Sequence, residues 1–125
     1  MRLIALLLIM LSTVYSQDSY AHGDDKHTHF TREQVAWQKI SQGALLIDTR
    51  TASEHSEKSL SSAINIPYQD IVEKFKLLEI RKDRDVVFYD RSGNRSGKAI
   101  INLRKAGYTN LHNGGGIDAL LTAKP

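Results

Sequence analysis

The sequence predicts one α/β domain built on a mostly parallel sheet with helices on both faces. Short apolar runs of strand character alternate with segments whose apolar residues recur at helical spacing. A polar loop rich in Gly, Ser and Arg joins the strongest strand to the clearest helix, as in a β-loop-α unit of a parallel sheet. The 125 residues, 41% hydrophobic and 25% charged, suit a single modest core. No internal repeat, long linker or second domain is visible.

At the N-terminus, Met1 and Arg2 precede the apolar run from Leu3 to Leu11, which gives way to small and polar residues. One positive charge before a short apolar stretch is the pattern of an export signal, and the run is short for a bilayer span. Val14 and Ser16 suit the third and first positions before a cut, so residues 1–16 are expected to be a signal peptide. Ala21 marks the second-choice cut, and a core helix or an uncleaved anchor is the competing reading. The mature protein is expected in the periplasm or outside the cell, with no stable membrane span.

Residues 17–29 read as a flexible, solvated leader to a domain over residues 30–125. His22, Asp24, Asp25, His27 and His29 are of types that bind transition metals. Nothing in the sequence fixes them in one geometry, so metal handling here is the lesser reading.

Thr31 and Gln34 have capping-box spacing, with Phe30 and Val35 placed as a hydrophobic staple, predicting a helix that starts near Arg32 and stops at Gly43. Trp37 and Ile40 are its expected core contacts. Ala44 to Ile47 is continuously apolar, as a strand buried on both faces requires. A weaker strand is expected from Ala63 to Ile66, ended by Pro67. From Tyr68 to Glu79, Ile71, Val72, Phe75 and Leu78 recur at helical spacing. Asp85 to Tyr89 is rich in β-branched and aromatic residues and predicts a strand. Ala99, Ile100 and Leu103 mark a further helical face, closed by Gly107 as a left-handed cap. Tyr108 to His112 reads as a last strand, Gly114 to Gly116 as a flexible turn, and Ile117, Leu120 and Leu121 as a final helix.

Lys and Arg total 17 against 14 acidic residues, and the net charge of +3 is spread along the chain, which does not argue for nucleic acid. The sequence has no cysteine. Disulfides, thiolate chemistry, Cys-ligated zinc and lipid attachment to cysteine are thereby excluded.

The most informative segment is Asp90-Arg91-Ser92-Gly93-Asn94-Arg95-Ser96-Gly97. Ligands of parallel α/β sheets bind at such strand-to-helix loops, where successive N–H groups form a concave anion site. The segment resembles the active-site loop of rhodanese-like sulfurtransferases, Cys-Arg-Ser-Gly-x-Arg-Ser, and departs from it only at the first residue. The resemblance extends over roughly Phe30 to Leu121. Leu45-Leu46-Ile47-Asp48-Thr49-Arg50 resembles the family's strand ending in Asp-x-Arg, with Glu54 in the acidic turn after it. Ala63-Ile64-Asn65-Ile66-Pro67 resembles the Gly-Ala-Ile-Asn-Ile-Pro segment, with Ser62 in place of glycine. Ala106-Gly107-Tyr108 and Gly114-Gly115-Gly116 resemble segments near the family's C-terminal end. Lys58-Ser59-Leu60-Ser61-Ser62 replaces a frequent Gly-His-Ile-x-Gly. The chain is similar to small exported single-domain rhodaneses of the phage-shock type.

This resemblance implies a sulfurtransferase fold without its nucleophile. In the family, a cysteine thiolate carries sulfane sulfur as a persulfide, and a carboxylate cannot. Asp90 is therefore expected to make the chain inactive in sulfur transfer and to act as a built-in anion for the loop. Asp90, Arg91, Ser92, Gly93, Asn94, Arg95 and Ser96 are the expected anion-binding loop. Asp48 and Arg50 are expected to support it as an ion pair or turn, Arg95 to serve structure, and Arg91 to face solvent. A monomeric binding or regulatory module, engaging a protein or a small anion and needing no cofactor or metal, is the leading reading. An enzyme of altered chemistry, with Asp90 as nucleophile or general base and His112 a candidate acid by type only, is the rival.

Overall fold

Four parallel strands form the sheet: β1 (Leu45–Asp48), β2 (Ile64–Asn65), β3 (Val86–Asp90) and β4 (Leu111–Gly116), in the order β2-β1-β3-β4. The structure is a computed structural model describing residues 28–125. The expected signal segment, both cut sites and His22, Asp24, Asp25 and His27 lie outside these residues. Five helices surround the sheet: α1 (Arg32–Ser41), α2 (Ala52–Glu57), α3 (Ile71–Leu77), α4 (Asn94–Lys105) and α5 (Ile117–Thr122). None of the described helices is long and apolar enough to cross a membrane.

The predicted α/β class is the observed one. α1 begins with both halves of the capping box, Thr31 Oγ1 accepting from the Gln34 N–H and Gln34 Oε1 from the Thr31 N–H. It ends before Gly43, whose φ of +92° is a left-handed conformation that glycine adopts without steric cost. Phe30 is 57% exposed, so the aromatic ring of the expected staple stays largely in water.

The sheet divides the core in two. On one face, Phe75 of α3 and Ala99, Ile100 and Leu103 of α4 pack with Ile47, Val86 and Phe88. On the other, Ala36 of α1 and Ile117 and Leu120 of α5 pack with Leu46, Val87 and Tyr89, while Trp37 and Ile40 cover this cluster from the side. All five β3 residues are buried, as a central strand covered on both faces must be.

Three local expectations are corrected. Gly114 to Gly116 belong to β4 rather than to a turn, and Asp90 pairs with Gly116. A Cβ on Gly114 would meet the Phe88 carbonyl at 3.1 Å, and one on Gly116 would strike the Arg91 carbonyl. The bareness of these residues thus serves close packing. The segment expected as one helix from Tyr68 opens with a 3-10 turn over Tyr68–Asp70 and ends at Leu77, leaving Leu78 55% exposed. Finally, α2 occupies what read only as an acidic turn.

Candidate functional site

Strand order places the site. The chain leaves β1 toward β2 on one side and returns to β3 on the other, so a crevice opens where the carboxyl ends of β1 and β3 meet. Asp48 ends β1 and Asp90 ends β3, with Asp48 paired in register to Tyr89. Both carboxylates are buried, Asp48 at 0% and Asp90 at 1% exposure. A buried carboxylate requires partners, and each has a full set.

Asp90 turns its carboxylate back into its own loop. One oxygen accepts from the Gly93 N–H. The other accepts from the N–H groups of Arg95 at 2.6 Å and Ser96 at 3.3 Å, and Arg95 Nε lies 3.9 Å away. These donors sit at the first turn of α4, whose dipole favours a negative charge there. Gly93 has φ +95°, the left-handed turn that lets the loop curl around the carboxylate.

The remaining loop residues divide between bracing and exposure. Arg95 donates to Glu54 of α2 at 2.9 Å, which ties the loop to the neighbouring helix. The Ser96 hydroxyl is buried 3.2 Å from that of Thr49, which also donates to the Tyr89 carbonyl. Ser92 and Asn94 are exposed. Arg91 is exposed at the rim of a hollow of about 380 Å³ that Arg50, Glu54, Glu57, Lys58, Ile117 and Asp118 also line. Behind the loop, Asn113 donates to the Gly93 carbonyl at 2.9 Å, and the Arg32 guanidinium lies over Gly93 and Gly115.

Asp48 organises the second half of the crevice. It receives the Arg50 side chain in a two-pronged pair at 3.0 and 2.8 Å and the Arg50 backbone N–H at 2.9 Å. His55 Nδ1 stands at 2.8 Å and the Tyr89 hydroxyl donates at 3.1 Å. Burial alone would push the Asp48 carboxyl up. The hydrogen bonds from Arg50 and His55, with the Arg50 charge, outweigh it and hold Asp48 below its ordinary value. The same pair holds Arg50 above its own. Burial pushes the Tyr89 hydroxyl up to about 12.

Sequence reasoning missed Glu54 as the partner of Arg95, and missed His55, Tyr89, Thr49, Asn113 and Arg32 altogether. A signal existed for α2, since Thr51 and Glu54 repeat the capping box of α1. His112, the acid candidate of the rival reading, bonds the Arg32 carbonyl at 2.8 Å and lies outside the crevice. Among the described residues no group of three or more His, Cys, Asp or Glu residues is placed to hold a metal ion.

The profile of the Rhodanese-like domain family matches residues 32–122. The thiosulfate sulfurtransferase PspE of Escherichia coli is 31% identical over 78 residues, 62% of this chain and 75% of that protein. A sulfurtransferase of Allochromatium vinosum is 40% identical over 73 residues, 58% of this chain and 66% of that protein. Among solved structures, a rhodanese with anions from E. coli superposes with a TM-score of 0.60 at 30% identity, covering 66% of this chain and 95% of the other.

Proposed function

We propose that this chain, which belongs to the rhodanese-like domain family, is an exported binding or regulatory module that has given up sulfur transfer and fills its anion-binding loop with its own Asp90 carboxylate. One observation carries the reading. The loop N–H groups of Gly93, Arg95 and Ser96 all donate to Asp90, in a chain without a cysteine. Donors that would otherwise face a ligand are already satisfied, and a carboxylate in this position cannot accept sulfane sulfur.

The family relationship supplies the activity to be tested. In the thiosulfate-to-cyanide sulfur-transfer assay, the parent is expected to be inactive and Asp90→Cys to gain turnover, because the strand, loop and helix that would present a thiolate are in place. Activity in the parent would overturn the reading. Inactivity of both would place the loss in the wider crevice as well, where Lys58-Ser59-Leu60 replaces the family's common segment.

An Asp90 nucleophile or general base is less well supported. Both oxygens accept hydrogen bonds from the loop, and the residue is 1% exposed. A reacting carboxylate needs a lone pair open to substrate. The rim formed by Arg91, Lys58, Glu57 and Asp118 is the surface through which a partner would engage the crevice, and the signal-like N-terminal run, Met1-Arg2 followed by Leu3 to Leu11, supports a partner in the periplasm or beyond.

A further inference from the structure

The two edges of the sheet are built differently. β2 has two residues, too few to act as a template for another strand. β4, at the opposite edge, has six. Its last three are closed in, Gly114 by Phe88 and Ala36, Gly115 by the Arg32 side chain and Gly116 by the Arg91 carbonyl. Leu111, His112 and Asn113 are only half-buried. The pairing with β3 fixes which of their main-chain groups face outward. Val86 stands level with Leu111 and donates its N–H to the Asn110 carbonyl at 2.9 Å, so Asn110 and His112 turn toward β3. Leu111 and Asn113 alternate with them and direct N–H and C=O away from the sheet. Those groups bond no other described residue.

A hollow of about 430 Å³ adjoins this edge, between Leu111 and Asn113 of β4 and Gly97, Ile100, Ile101 and Arg104 of α4. The four helix residues recur at helical spacing and form one stripe. Ile101 within it is 54% exposed. The charge of these two walls has one sign, because neither α4 nor β4 contains an acidic residue. Of the α4 cations, Arg95 pairs with Glu54 and Lys98 lies over the Tyr68 ring. Arg104 and Lys105, in the last turn, make no ion pair among the described residues. Glu33 of α1 and Asp83, before β3, are already paired, with Arg32 and Arg81.

We propose that the β4 edge at Leu111 to Asn113 takes up an extended, acidic segment of a partner protein as an added strand. The outward N–H and C=O groups of alternate residues select an extended backbone, which offers acceptors and donors at the same alternation. Successive side chains of a strand point to opposite faces, so every second residue of the segment meets Ile100, Ile101 and Leu111 and is best small and apolar. Arg104 closes the amino-terminal end of the hollow and selects a carboxylate there. A second copy of this chain has no carboxylate along its own β4 to offer. The added strand lies beside the amino-terminal half of β4, whereas the Asp90 crevice opens at the carboxyl ends of β1 and β3.

Backbone amide resonances and their hydrogen exchange read this edge directly in the full chain. Three short capped peptides are titrated: one alternating valine and glutamate, one alternating valine and lysine, and the glutamate peptide methylated on alternate backbone nitrogens so that it cannot pair as a strand. The expected result is saturable shifts and slowed exchange at Leu111 and Asn113 with the unmethylated glutamate peptide alone. Arg104→Glu is expected to weaken that binding at least about fivefold while its thermal transition matches the parent's. No response to the glutamate peptide, an equal response to the lysine peptide, retained binding by the methylated peptide, or shifts centred on Arg91 to Arg95 would overturn the proposal. So would slow exchange at Leu111 and Asn113 without any peptide, because the edge would then be covered by another part of this chain or by a second copy.

Discussion

At the scale of the residue, two buried carboxylates are held by different means. Asp90 is held by main-chain N–H groups, and Asp48 mainly by side chains with one main-chain N–H, that of Arg50. Replacing Asp90 by alanine removes the acceptor of three N–H donors at once, and orphaned buried donors cost roughly 1–3 kcal/mol where water cannot replace the partner. Asp90→Ala is thus expected to lose about 2–4 kcal/mol in urea unfolding, unless an added anion takes the vacated place. Asp48 gives a pH signature. Its folded value lies below the ordinary 3.8, so its contribution is fully present above the unfolded value and is lost as pH falls through the lower folded one. The stability difference between the parent and Asp48→Asn should stay constant from neutral pH to about pH 5 and narrow below about pH 4. A difference that persists unchanged into acid would show that Asp48 does not titrate with folding.

At the scale of the element, turns and strand ends adapt to what lies against them. Ser62 has φ +67°, a left-handed conformation at a position where the family segment carries glycine. The left-handed state costs a side-chain-bearing residue about 1–2 kcal/mol, partly offset by the greater unfolded-state freedom of glycine. Ser62→Gly is therefore expected to raise stability by about 0.5–1 kcal/mol, read as a higher midpoint in thermal unfolding. Gly116→Ala acts in the opposite sense, because its Cβ would meet the Arg91 carbonyl on the loop that wraps Asp90. It should destabilise the fold by about 2 kcal/mol or more and shift the amide resonances of Arg91 to Arg95. The same elements show what was legible in the sequence. The apolar run of β3 and the helical period of α4 announced themselves because burial alone sets those patterns. α2 has no buried residue and so left no apolar period. Gly114 to Gly116 read as a turn because glycine weakens strands locally, whereas the close approach of Phe88, Val87 and Ala36 to Gly114, of Arg32 to Gly115 and of Arg91 to Gly116 leaves no room for a side chain. The capping boxes at Thr31 and Thr51 were equally visible, yet only the first preceded an amphipathic stretch.

At the scale of the whole molecule, the loop of Asp90 could be read from one stretch of chain, but the crevice could not. Asp48 meets Tyr89 across 41 positions and Arg95 meets Glu54 across another 41, through strand order rather than through any local pattern. What results is a rhodanese-like fold whose Asp90 lies inside the loop instead of offering a thiolate. Anion binding tests that occupancy most directly. Thiosulfate is titrated into the parent and into Asp90→Ala while the thermal midpoint is followed, since a ligand that binds only the folded state raises it. The account predicts no change in the parent and a rising, saturable midpoint in Asp90→Ala, as the freed N–H groups of Gly93, Arg95 and Ser96 take up the anion. A parent stabilised by thiosulfate as strongly as the variant would contradict it.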